Sequence, residues 1–110
     1  MRLDPALRAY GEARGLAPAA WAALAPDCPF ETARYADGVL SLEHEGCWVD
    51  AEAFVRELAS ALGPGGEGHL DVIDNAAWTF CRYHLAAGNF EKQQFGIDDV
   101  LEHTKNEGQY

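Results

Sequence analysis

The spacing of apolar residues near the N-terminus fits one face of a helix. Residues recur there at intervals of four and three, namely Leu3, Leu7 and Tyr10. Asp4 followed by Pro5 is typical of a helix start, because Asp caps the first turn and Pro is tolerated in it. The stretch APAAWAALAP, residues 17–26, predicts a second short helix. Residues 1–26 are therefore predicted to form a helical segment.

From residue 30 the pattern changes to alternation, which is typical of strands. The runs FETARY and VLSLEHEG flank Asp37-Gly38, a dipeptide that favours a tight hairpin turn. Alternation on the second run places Glu43 and Glu45 on one face, and on the other face Leu40, Leu42 and His44. The next run, WVDAEAFVRELASALG, predicts a helix capped by Asp50. Residues 28–63 thus read as a first ββα unit.

Residues 76–107 repeat this plan at a shift of 48 positions. The predicted parts are a strand AWTFCRYHL, a turn AAGN, a strand FEKQQF and a helix over about 98–106 capped by Asp98. The apolar residues of 71–87 also fit a single helix. We favour the strand, because Trp, Thr, Phe, Cys and Tyr are poor helix formers and good strand formers.

These elements predict one α+β domain over residues 1–110. Two N-terminal helices precede two ββα units, whose four strands form one antiparallel sheet with the helices on one face. A connector, GPGGEG, separates the units. The predicted core consists of Phe30, Leu40, Leu42, Phe54, Leu58, Trp78, Phe80, Phe90, Ile97 and Leu101.

The charge distribution restricts the classes of partner. The net charge is −10, and residues 27–75 carry eleven acids against two Arg, a local charge of −9. Such a segment repels phosphates and anionic lipids, so we predict no direct binding to nucleic acid or membranes. The N-terminus lacks the unbroken apolar stretch of a signal peptide, and three cysteines form no disulfide framework. We therefore predict a soluble cytoplasmic protein with reduced, mostly buried thiols.

The sequence presents no metal or catalytic motif. Two short His/Cys motifs raise the question of zinc, whose ligands would be His44, Cys47, Cys81 and His84. Side chains along a strand alternate between its two faces, so Cys81 and His84, three positions apart, would point to opposite faces. No Gly-rich phosphate loop or nucleophile with an adjacent base is recognisable. We predict no cofactor and lean against an enzyme.

The acidic middle segment is the remaining distinctive feature. We predict a non-enzymatic interaction protein that masks a basic, nucleic-acid-binding surface of a protein partner, as immunity proteins, antitoxins or phage-encoded inhibitors of nucleic-acid-targeting effectors do. Its predicted contact residues are Glu31, Asp37, Glu43, Glu45, Glu52 and Glu57. One alternative is a small enzyme or ligand-binding domain with a pocket between sheet and helices, using Tyr35, His44 and Tyr83. A second is a structural subunit that forms homodimers through a sheet edge.

Overall fold

A computed structural model describes residues 6–96 of the chain. They form one six-stranded antiparallel sheet with two short helices and a single 3₁₀ turn. In chain order the elements are β1 (Leu7–Arg14), α1 (Pro18–Leu24), the 3₁₀ turn (Ala25–Asp27), β2 (Thr32–Ala36), β3 (Val39–Gly46), α2 (Ala51–Ala61), β4 (Glu67–Asp74), β5 (Thr79–Ala86) and β6 (Asn89–Gly96). The spatial order of the strands is β2-β3-β1-β4-β5-β6. The predicted fold class, two N-terminal helices followed by a four-stranded sheet, is therefore wrong.

The central strand β1 lies where the sequence predicted the first helix. It pairs antiparallel with β3 on one side and β4 on the other. Leu7, Ala9 and Ala13 point into the core, whereas Tyr10 points to the opposite side. An interval of four preserves the face in both a helix and a strand, so Leu3 and Leu7 could not distinguish them. This segment forms a strand because it pairs with two other strands, and no local sequence pattern reveals that pairing.

The β2–β3 hairpin and α2 form where the sequence places them. Asp37 and Gly38 both have positive φ angles, 51° and 81°, as a two-residue hairpin loop of the primed type requires. The Asp50 carboxylate accepts a hydrogen bond from the Ala53 backbone N–H at 3.1 Å and caps α2. The buried face of α2 consists of Ala51, Phe54, Val55, Leu58 and Ala59.

In the second half the sequence predicted β5 and β6 but missed β4. Residues 71–87 do not form the alternative single helix, since β4 and β5 occupy most of them. Trp78 was assigned to the core, yet it lies in the β4–β5 connection with 65% of its surface exposed. The predicted helix 98–106 and the core residues Ile97 and Leu101 lie outside the described residues.

The sheet has two different faces. Both helices pack on one face, where the core includes Leu7, Leu40, Leu70, Phe54 and Leu58. We call the opposite face, which no element among residues 6–96 covers, the open face. On β1 and β3 it carries Arg8, Tyr10, Glu12, Arg14, Ser41, Glu43 and Glu45. The edges of the sheet are β2, with five residues, and β6, with eight.

Candidate partner-binding surface

The structure does not gather the six predicted acidic contact residues on one surface. Glu43 and Glu45 lie exposed on the open face of β3. Glu31 directly precedes β2, near the same end of the hairpin, since Thr32 pairs with Glu43. Asp37 lies in the β2–β3 turn, at the other end of the five-residue strand β2, about 20 Å from Glu31 at ~3.3 Å per residue. The remaining two, Glu52 and Glu57, belong to α2 on the other side of the sheet.

Glu52 is engaged in contacts within the fold. Its carboxylate accepts hydrogen bonds from Lys92 Nζ at 2.8 Å, and from Arg56 Nη2 and the Tyr83 hydroxyl at 3.4 Å each. The hydrogen bond from Lys92 is the main reason that the pKa of Glu52 is lowered. This carboxylate therefore joins α2 to β5 and β6, and its role is structural.

Tyr10 lies at the centre of the acidic part of the open face. Directly opposite it are Glu43 on β3 and Asp71 on β4. Its hydroxyl donates a hydrogen bond of 2.5 Å to Glu45 Oε2. This hydrogen bond is the largest cause of the raised pKa of Tyr10, and the charges of Glu45 and Glu43 act in the same direction. Sequence reasoning missed Tyr10 because it assigned the residue to a helix.

Among the described residues, the salt bridges on the open face involve Glu12 and Asp71 and not Glu43 or Glu45. Arg14 pairs with Glu12, and Arg82 forms two bonds to Asp71. In the described part of the chain, by contrast, Glu31, Glu43 and Glu45 take part in no salt bridge. We call Tyr10, Glu43 and Glu45 the Tyr10 patch.

Two basic residues lie beside the Tyr10 patch on the open face. Arg34 on β2 lies opposite Ser41, two residues from Glu43 on β3. Arg8 lies opposite Glu45 on the neighbouring strand. Its Nε is buried and has no hydrogen-bond partner between residues 6 and 96. Two guanidinium groups therefore stand beside the two carboxylates of Glu43 and Glu45, so these four residues together carry no net formal charge.

The four zinc candidates are dispersed. His44 is buried on β3 with both ring nitrogens engaged: Nδ1 accepts from the Glu31 backbone N–H at 2.9 Å, and Nε2 lies 2.8 Å from the Cys47 carbonyl oxygen. Because Nδ1 is the acceptor, the proton is on Nε2, which donates to Cys47. Cys81 shares the helix-covered face with its partner Val72, whereas His84 is exposed on the open face opposite His69. The four side chains cannot bind one ion together.

The cysteines also differ from expectation. Cys47 is exposed, and only Cys28 and Cys81 are partly buried. Burial raises the pKa of both partly buried thiols, which lowers their reactivity.

The alternative of a pocket between sheet and helices corresponds to a cleft of about 440 Å³ beside the N-terminus of α2. Of the three residues predicted to serve it, Tyr83 lines the cleft, together with Trp48, Glu52, Cys81 and Lys92. His44 and Tyr35 do not: Tyr35 donates instead to the Leu16 carbonyl oxygen. Tyr83 and Lys92 both donate to Glu52, so these polar groups are already engaged with one another.

Comparisons with protein-family models, with curated proteins and with solved structures find no match to the chain. Within the described range, neither helix has the length and apolar character needed to cross a membrane.

Proposed function

We propose that the protein is a non-enzymatic interaction module that binds a basic protein partner through the Tyr10 patch. The observation that carries this proposal is the position of Tyr10, 38% exposed, directly opposite Glu43 and hydrogen-bonded to Glu45. An aromatic ring flanked by carboxylates suits the side chain of Arg or Lys, which stacks on the ring and pairs with the acids. Tyr is also a preferred anchor residue of protein interfaces.

The proposed surface differs from the one expected from sequence. Glu43 and Glu45 remain in it, and Tyr10 is added. Glu31 is excluded because the residue that shares a face with Glu43 is its neighbour Thr32. Glu52 is excluded because its carboxylate is occupied by Lys92. Glu57 is excluded because α2 lies on the side of the sheet opposite Glu43. A rigid sheet holds the charges in place, which favours specific recognition over diffuse attraction.

The class of partner follows from charge complementarity. The chain has a net charge of −10, and negative potential steers association with a positive surface and accelerates it by up to about 10–1000-fold at low salt. Proteins that bind nucleic acids present such positive surfaces. The protein then acts as an inhibitor: it covers the basic surface and competes with nucleic acid for it.

Affinity capture from the native host tests this proposal. The parent protein, E43K/E45K and E57K/E67K are each immobilised and exposed to the same lysate at low salt. Both double variants change the net charge by +4, but Glu57 and Glu67 lie outside the Tyr10 patch. We expect the parent and E57K/E67K to retain the same basic protein, released by salt or by duplex DNA, and E43K/E45K to lose it. Retention by all three proteins, or release by salt but not by DNA, contradicts the proposal.

A further inference from the structure

Two histidines face each other on the open face, the same face that carries Tyr10. His69 on β4 and His84 on β5 are directly opposite in the antiparallel register, and both are exposed. Cα atoms of directly opposite residues lie about 4.5–5.5 Å apart, with side chains on the same face. Since an imidazole nitrogen binds zinc at about 2.0–2.1 Å, two rings at this spacing can reach one ion.

The surroundings of the histidine pair favour a cation. In the same cross-strand row, Glu12 lies opposite His69 and Glu91 opposite His84. Glu12 is engaged by Arg14, whereas Glu91 forms no salt bridge within residues 6–96. A hollow of about 240 Å³ beside His69, lined by Glu12, Arg14 and Glu67 among others, leaves room for bound water.

We propose that His69 and His84 form a surface binding site for a divalent first-row transition-metal ion. Within the described range, no three His, Cys, Asp or Glu side chains form a metal site together. The protein therefore supplies the two imidazoles, and water completes the coordination. Imidazole donors select copper, nickel and zinc over magnesium and calcium, which prefer oxygen. The ion connects β4 to β5, and its two protein ligands are not residues of the Tyr10 patch.

Titration calorimetry with nickel chloride tests the site. We expect H69Q and H84Q each to weaken nickel binding by at least about tenfold, since changes in a metal's outer shell alone cost about 10–100-fold. Magnesium chloride should not compete. Because both side chains are exposed, neither substitution should alter the melting temperature without metal.

Two control variants test whether nickel binds to other side chains that can ligate a metal. H103Q removes the one His that lies outside the described range, and C47S removes the exposed thiol. Both should bind nickel as the parent does. The proposal is overturned if the parent does not bind nickel, if H69Q and H84Q bind it unchanged, or if H103Q or C47S abolishes binding.

Discussion

Lys92 on the edge strand β6 donates a hydrogen bond from Nζ to Glu52 Oε1 in α2 at 2.8 Å. This pair connects the outermost strand to the helix layer. The two side chains keep 36% and 35% of their surface exposed, so solvent screens the pair and its contribution to stability is small. Exposed pairs of this kind contribute about 0.2–1 kcal/mol.

Replacing Lys92 by Met is therefore expected to lower the free energy of unfolding by about 0.2–1 kcal/mol near neutral pH. The pKa of Glu52 is lowered from its ordinary value of 4.5, mainly by the bond from Lys92. A lowered folded-state pKa means that the stabilisation is present above the ordinary value and lost as the pH falls through the folded-state value. Urea unfolding of parent and K92M should thus differ near neutral pH and converge in acid. An equal difference at both pH values contradicts this assignment, and E91Q serves as the control without a salt bridge.

The buried His44 predicts a second effect on stability. Its ring joins the Glu31 backbone N–H to the Cys47 carbonyl oxygen, one at each nitrogen. Replacement by Leu removes both hydrogen bonds and leaves the two backbone groups without this partner, at a cost of about 1–3 kcal/mol. Chemical denaturation should show H44L to be destabilised by that amount and H84L, at an exposed position, to be nearly unchanged. Equal stability of H44L and the parent would refute the bridging role.

Gly11 allows the close approach of β1 and β4. A Cβ atom at this position would lie 2.3 Å from the His69 carbonyl oxygen, which belongs to the rigid sheet backbone. G11A is therefore expected to destabilise the fold by about 1–3 kcal/mol or more, as overpacking does. At Gly46 the nearest atom to such a Cβ is His44 Nε2 at 3.6 Å, an ordinary contact. Thermal unfolding should accordingly show a lower melting temperature for G11A than for G46A, and the reverse order would contradict the predicted clash.

Trp78 predicts a substitution that stabilises the protein. It has a φ of 56°, a left-handed conformation that is unfavourable for a bulky residue, and it remains 65% exposed. Asn adopts this conformation more readily, so W78N should raise the free energy of unfolding by about 1 kcal/mol. Trp48 is similarly exposed, at 60%, but lacks a positive φ. A gain in W48N equal to that in W78N would rule out relief of backbone strain as the cause.

Local signals were sufficient for the first hairpin and its helix. Asp37-Gly38 specifies a tight turn, alternation fixes the faces of β3, and Asp50 caps α2. The predicted repeat was less precise: the shift of 48 places Gly38 over Ala86, whereas the second turn has its left-handed glycine at Gly88. Such offsets arise because a repeat with few identities does not fix the register.

The two missed strands depend on pairing between residues distant in sequence. β1 joins β3 to β4, and its apolar spacing is ambiguous without those neighbours. β4 does alternate, with Leu70 and Val72 buried and the polar His69 and Asp71 on the opposite face, so its signal was present beside the GPGGEG connector. The candidate surface could be predicted only in part for the same reason. Alternation along β3 was enough to place Glu43 and Glu45 on one face. The position of Tyr10 between Glu43 and Asp71 depends on the register of three strands, which the local sequence does not give.

The most direct test of the Tyr10 patch measures binding of a nine-residue arginine peptide to the parent, E43K/E45K and E57K/E67K at low salt. Each double variant changes the net charge by +4, so the comparison isolates where the charge lies. Binding to the patch predicts a loss of at least about tenfold in E43K/E45K and a smaller loss in E57K/E67K, because screening limits attraction between distant charges. Equal losses in the two variants would show that the peptide responds to net charge alone and would contradict the proposed site.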